Sequence, residues 1–188
     1  QDMADSNIIS ATEIKWYALR DLKRPNAIRR AWEILQDDRK IEVFTPKKWV
    51  LSTIKGKRKA KEVAFIPDLL FAHESKVVLD PIIESMETLQ YRFRKYGSQN
   101  EPLVVPNADM ERFIHAVNSS ESPQYFLPEE VTPQMYGKEI LIVGGSLNGY
   151  RGRLLTARGS KVKRLLIELK GFFCVGVEVS PEYIQVLG

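Results

Sequence analysis

One cysteine and two histidines among 188 residues leave little from which to build a metal or redox centre. Cys174 has no second cysteine for an internal disulfide, and one thiol with two imidazoles falls short of a zinc-type ligand set. A reducing cytosol is the compartment this usage predicts. Long apolar runs are also missing. None approaches the roughly 18–20 residues a membrane helix needs, so no membrane association is predicted. There is no nucleophile elbow, no metal-ligand motif and no pair of carboxylates on a shared motif, which argues against an enzyme and against any cofactor. The remaining scarcity is local and more informative. From Lys47 to Lys61 there is no acidic residue, while Lys47, Lys48, Lys55, Lys57, Arg58, Lys59 and Lys61 are all basic.

Such a stretch cannot neutralise itself. It is either a solvated loop or a device for meeting phosphates, and charge alone leaves both open. Its flanks predict a hairpin: Val50 to Ile54 favours a strand, Gly56 supplies a turn, and Val63 to Ile66 returns. Pro67-Asp68 and a second short strand, Leu69 to Ala72, follow. The hydrophobic fraction of 44% and charged fraction of 28% are ordinary for one large domain or two small ones. The net charge of +4 is uneven. Residues 137–188 hold eight Lys/Arg against four Asp/Glu, so the C-terminal piece is a basic module.

Along the chain, residues 1–14 read as a loose leader and Lys15 to Arg20 as a strand. Pro25 sits where a helix would begin, with Ala27, Ile28, Ala31, Trp32 and Leu35 at helical spacing. Ile41 to Phe44 returns as a strand. Asp80-Pro81 predicts the start of a helix carrying Ile82, Ile83, Met86 and Leu89. Tyr91 to Tyr96 predicts a strand with one packed and one cationic face. Asn107 predicts a cap for a last helix with Met110, Phe113, Ile114 and Val117 inward. The order implies an α+β fold, a mostly antiparallel sheet faced by helices. Residues 120–136, with Pro123, Pro128 and Pro133, read as a linker. Five short strands then predict a small β-barrel over 137–188.

That second module carries Gly137-Lys138-Glu139-Ile140-Leu141-Ile142-Val143-Gly144-Gly145, then Leu147-Asn148-Gly149-Tyr150-Arg151-Gly152-Arg153-Leu154. This resembles the KOW motif, whose loop would comprise Gly145, Gly149, Tyr150, Arg151 and Gly152. A nucleotide cradle is the rival reading of these glycines. No Gly-Lys-Ser/Thr step closes the loop, and no helix pattern follows to supply amide groups for a phosphate.

Upstream, Trp16-Tyr17-Ala18-Leu19, Phe44-Thr45-Pro46, the Gly56-Lys57-Arg58 hairpin and Ile66-Pro67-Asp68-Leu69-Leu70-Phe71 stand in the order of the NusG family's N-terminal (NGN) domain. With a KOW module behind, the resemblance runs from about Lys15 to the end. It implies an NGN domain over 15–119 and an SH3-like KOW barrel over 137–188. It also implies a monomeric, cytoplasmic, bacterial transcription elongation or antitermination factor. In the family an apolar depression grips the clamp helices of the RNA polymerase β′ subunit, which the resemblance assigns here to Trp16, Tyr17, Phe44, Pro46, Pro67, Leu69 and Phe71. Alternation puts Leu69 and Phe71 on one strand face and Leu70 on the other. Lys55, Lys57, Arg58 and Lys59, with His73 and Lys76, would face upstream or non-template DNA near the transcription bubble. The KOW module would recruit Rho or a ribosomal protein. His115 reads as exposed surface and Cys174 as packing. Where the family commonly has Phe-Pro-Gly-Tyr, this chain has Ile66-Pro67-Asp68-Leu69, which points to a specialised paralogue similar to the antiterminators of polysaccharide operons. A KOW-bearing RNA-binding accessory of the ribosome is the alternative; it explains the basic barrel but not the Phe44–Phe71 ridge.

Overall fold

The computed structural model describes residues 10–23, 27–96, 99–155 and 161–188. The chain divides into two compact units, Gln1–Asn107 and Ala108–Gly188. Among the described residues no helix is long and apolar enough to cross a membrane.

The first unit is built on β1 (Ile14–Asp21), which pairs antiparallel along its length with β5 (Leu69–Ser75). Short strands β2 (Glu42–Phe44), β6 (Leu89–Tyr91) and β9 (Val104–Val105) complete the sheet, in the order β2-β5-β1-β6 with β9 also on β1. Alternation divides its side chains cleanly. Tyr17, Leu19, Leu70, Ala72 and Leu89 point to one side, where they form a core with Ala31, Leu35, Leu79 and Ile82 from two helical segments. Trp16, Ala18, Phe44, Leu69 and Phe71 share the opposite face.

The two helical segments begin later and earlier, respectively, than their sequence patterns predict. The first, α1, is a turn at Ala31–Glu33 that widens into a π-helical turn, Ile34–Asp38. Pro25 lies outside the described residues, and Ile28, predicted to be inward, is fully exposed. The start at Ala31 has a polar cause. The buried Asp21 carboxylate accepts from Ala31 N at 3.1 Å, and Glu33 accepts from Arg30 N at 2.8 Å. The second, α2, spans Lys76–Ser85, with Ser75 Oγ accepting from Val78 N. Ser75, not Asp80, is the cap, so Pro81 lies inside the helix. Asp80 instead accepts from Tyr91 Oη at 2.7 Å. That bond and burial raise the Tyr91 pKa well above its ordinary value, burial being the larger cause.

The predicted strand 91–96 is two strands. At Arg92 the chain leaves β6, and β7 (Phe93–Tyr96) pairs with β8 (Gln99–Pro102) as a separate ribbon. The Arg92 side chain turns inward, with Nε donating to Leu19 O.

The second unit is an SH3-like β module preceded by helix α3 (Asn107–Ser119). Its sheet is antiparallel throughout, in the order β10-β14-β13-β12-β11-β15. These strands are β10 (Gln124–Phe126), β11 (Tyr136–Ile142), β12 (Arg151–Leu155), β13 (Arg164–Leu169), β14 (Phe173–Glu178) and β15 (Ile184–Val186). The predicted strands are all here, although residues 156–160 lie outside the described ones. β10 is additional and comes from the tract predicted as a linker. Phe126, Val131 and Met135 pack on Leu155, Leu166 and Cys174, giving that proline-rich tract an apolar anchor. On α3, Met110, Phe113 and Ala116 are buried, and Phe113 meets Phe173 edge-on at 5.5 Å. The helix predicted to close the first domain therefore packs within the second unit.

Candidate nucleic-acid interface

The basic stretch is a free-standing ribbon. Among the described residues, β3 (Lys47–Ile54) and β4 (Lys57–Ala64) pair only with each other, in register from Lys47↔Ala64 to Ile54↔Lys57. Lys55 and Gly56 join them with φ of 51° and 76°, the two left-handed residues of a type I′ turn. This register sorts the side chains into two unlike faces. Lys48, Lys57, Lys59 and Lys61 share one with Val50, Ser52 and Ile54. Trp49, Leu51, Thr53 and Arg58 share the other with Ala60 and Glu62. Among the described residues, Lys48, Lys55, Lys57, Arg58, Lys59 and Lys61 have no carboxylate within 4.0 Å, and all are exposed. Lys47 differs: its ammonium sits 3.8 Å from the centre of the Trp32 ring and 3.9 Å from Glu62 Oε1.

The ribbon's base, with Lys47, Lys61 and Glu62, lines one cleft of about 380 Å³ together with Arg30, Trp32 and Pro67. Arginines hold the turn in place. Arg30 Nη2 donates to Pro67 O at 2.7 Å. Arg92 Nη2 reaches both Asp68 O at 3.3 Å and the Asp68 carboxylate at 3.2 Å, and Arg20 lies 3.7 Å from the same carboxylate. Burial pulls the Arg92 pKa below its ordinary value, with Asp68 opposing the shift. Beyond the turn, the Trp16 ring stacks flat on His73 at 4.6 Å and Phe44 lies 6.4 Å from Phe71.

In the second unit, the loop between β11 and β12 is shaped by close approach to an aromatic ring. Gly144 and Gly145 have φ of 107° and 71°, and a Cβ on Gly144 would lie 2.7 Å from the Tyr183 ring. Helix α3 holds the other side of the loop. Tyr150 Oη donates to Arg112 O at 2.8 Å, the Arg112 guanidinium sits 4.4 Å from the centre of the Tyr150 ring, and His115 Nε2 donates to Ser146 O at 2.8 Å. Burial raises the Tyr150 pKa, with Arg112 opposing it.

A scan against protein families matches residues 14–114, more than half of the chain, to the family described as "Transcription termination factor nusG". The chain belongs to the NusG family. It is therefore a transcription factor of that general kind, with an NGN-like fold followed by an all-β KOW-type module. No curated protein matches it in sequence. A solved structure described as "Domain interaction in Thermotoga maritima NusG" is similar, at 13% identity over 95% of this chain and 99% of that one, with a TM-score of 0.45.

For a NusG-family chain, the residues assigned to the polymerase grip fall in three places. Tyr17 is on the helix-covered side of the sheet, inside the core with α1 and α2. Trp16, Leu69 and Phe71 lie on the opposite face, yet all are buried, as is Pro46; only Pro67 is exposed and Phe44 half-buried. Alternation tells which residues share a face; it does not tell how much of that face is covered. Among the nucleic-acid candidates, Lys55, Lys57, Arg58 and Lys59 lie together on the ribbon. His73 is tied down, with Nδ1 3.1 Å from Glu42 and its ring under Trp16, and Lys76 is paired with Asp80 at 3.3 Å. In the KOW loop, Tyr150 and Arg151 are engaged, the latter donating to Glu139 at 2.8 Å. His115 is exposed as predicted but hydrogen-bonded. Sequence reasoning missed Trp49 and the arginines around Pro67-Asp68. Trp49 was findable, because a turn at Lys55-Gly56 sets the register and leaves Trp49 and Leu51 on one face.

Proposed function

We propose that this NusG-family chain is an elongation or antitermination factor of the specialised, locus-serving type. It grips the β′ clamp helices of RNA polymerase and directs its basic ribbon at DNA near the transcription bubble. The observation that carries this reading is the ribbon: six exposed cations without carboxylate partners, adjoining the arginine-held Pro67-Asp68 turn. A ribbon that projects from the sheet without pairing to it gives the fold no ladder hydrogen bonds. Its charge is suited to a polyanion. Phe44 and Pro67 form the accessible edge of the grip, and the face behind them, with Trp16, Leu69 and Phe71, supports that edge or joins it when uncovered. Binding one clamp conformation in preference to the paused one shifts the population towards elongation. The KOW module recruits a further partner, Rho or a ribosomal protein. A ribosomal accessory is disfavoured because the family match, residues 14–114, covers the sheet of the first unit and stops short of the KOW module at 137–188.

The test is capture of isolated β′ clamp helices by the full chain. Wild type should retain them, and Phe44→Ala with Pro67→Ala should weaken retention roughly ten-fold, as loss of interface anchors does. Wild-type chain that retains ribosomal particles and not the helices would reverse the assignment.

A further inference from the structure

Residues 124–135 do more than join α3 to the barrel. β10 lies along the edge of β14 for three positions, Gln124↔Gly176, Tyr125↔Val175 and Phe126↔Cys174. Alternation sends Tyr125 to the side of Phe173, which it meets edge-on at 5.8 Å, and Phe126 to the other side. There Phe126, Val131 and Met135 cover a patch of Leu155, Leu166 and Cys174, leaving these 6%, 8% and 6% exposed. The cover is lightly held. Past Phe126 the backbone bonds turn back on the tract itself: Glu130 N donates to Leu127 O, Val131 N to Pro128 O and Met135 N to Thr132 O. Pro128 and Pro133 each open a single 3₁₀ turn and bring no N–H, so the pairing with β14 stops where it does. Tyr125 is buried, but Phe126, Leu127, Val131 and Met135 are only half-buried. A segment fastened by three ladder positions and half-buried anchors opens at less cost than the barrel unfolds.

Charge makes the same segment look like a ligand held in place. Residues 120–136 carry Glu121, Glu129 and Glu130 and no Lys or Arg, while 137–188 hold eight Lys/Arg against four Asp/Glu. An acidic strand therefore lies on a basic barrel. We propose that this tract is a displaceable strap, occupying in cis a docking site for an acidic, extended segment of a partner protein. The partner's strand would replace β10 on the β14 edge and set an aromatic side chain on Leu155, Leu166 and Cys174, with carboxylates following it. A sheet edge supplies main-chain pairing, and the pocket beside it chooses the side chain. The strap's own order, Tyr125-Phe126 and then Glu129-Glu130, states the chemistry the site accepts. Glu178 N, at the end of the same edge, donates to Ser120 Oγ at 3.3 Å, so release frees that amide too. The inference rests on the reading that the KOW module recruits a further partner, and it adds a regulation: the free chain keeps the site closed. A cis occupant lowers the partner's apparent affinity by the fraction of time the strap is open.

Cys174, the chain's single cysteine, reports the strap directly because Phe126 packs on it. The experiment follows maleimide labelling of the full chain and its binding of a fluorescent peptide copying residues 122–136. In wild type, labelling should be slow and nearly independent of low urea, as local opening is. Changing Phe126, Val131 and Met135 to Ala should speed labelling about ten-fold and bind the peptide about ten-fold tighter than wild type. Bound peptide should slow the labelling again, and a peptide with Ser at its Phe126 position should not. A wild-type labelling rate that climbs with urea as steeply as global unfolding makes the tract a fixed part of the barrel and overturns the proposal. That arm needs no variant, so it decides even if the triple variant fails to fold. Peptide binding that is equal in variant and wild type, or absent from both, also overturns it. So does a variant that dimerises without taking up peptide, which assigns the edge to a second copy of the chain. No physiological partner enters these measurements, so the recruitment reading fails separately, if neither wild type nor the opened variant binds Rho or a ribosomal protein.

Discussion

Asp21 shows how a single polar residue sets an element boundary. Its side chain is only 2% exposed and is fully engaged: Oδ1 accepts from Lys23 N at 2.9 Å, while Oδ2 accepts from Ala31 N and lies 3.2 Å from Arg30 Nη2. Removing one partner of a buried ion pair leaves the other without compensation, so Asp21→Ala should cost about 3–5 kcal/mol. Denaturant midpoints at constant slope measure it; a change under about 1 kcal/mol would mean that Arg30 finds another acceptor. Gly144 makes the same argument through shape. An alanine there needs a left-handed backbone and a Cβ 2.7 Å from Tyr183, whereas at Gly149, φ 87°, the space is open. Gly144→Ala should therefore destabilise the KOW module by about 1–3 kcal/mol, and Gly149→Ala by less, in thermal melts of the two variants. Neither Asp21 nor Tyr183 was legible in the sequence as a partner. Each acts on residues distant along the chain, and an aspartate ending a strand usually points to water.

At the scale of elements, periodicity served where one face is buried and failed where a polar contact sets the limit. The strands β1, β13 and β14 fall within a residue of their predicted spans because alternating apolar residues meet a core, and β5 starts at the predicted Leu69 but runs three residues past the predicted Ala72, to Ser75. The start of α2 does not, since Ser75 offers its hydroxyl before Asp80-Pro81 can act. The tract 120–136 was unreadable for a different reason: prolines suggest a spacer, and only tertiary packing shows that Phe126 and Met135 have somewhere to go. The ribbon was legible in outline from its charges and its glycine. Its turn also leaves a testable imperfection. Lys55 holds φ of 51°, a conformation asparagine tolerates better, and Asn-Gly is the preferred pair for this turn. Lys55→Asn should stiffen the ribbon by about 0.5 kcal/mol, read as slower exchange of its cross-strand amide hydrogens. Faster exchange would mean that the turn is not of this type in solution.

For the whole molecule, the proposed roles of the first unit separate by their physics, because one contact is apolar and the other is ionic. Clamp-helix binding through Phe44 and Pro67 should depend weakly on salt. Binding through the ribbon should depend on it strongly, each neutralised phosphate adding about one unit to the slope of log affinity against log salt. Replacing Lys57, Arg58 and Lys59 by Ala in the full chain should flatten that slope by roughly two to three units on a DNA-loaded elongation complex. The same variant should capture bare clamp helices as wild type does. Preference among DNA sequences should not move, since phosphate contacts carry no base information directly. None of these cations has a carboxylate partner among the described residues, so removing them breaks no ion pair and the fold should be unaffected. A change in slope can then be attributed to DNA and not to unfolding. Equal slopes for variant and wild type would leave the ribbon as solvated surface, and the polymerase grip would then have to account for binding to the elongation complex by itself.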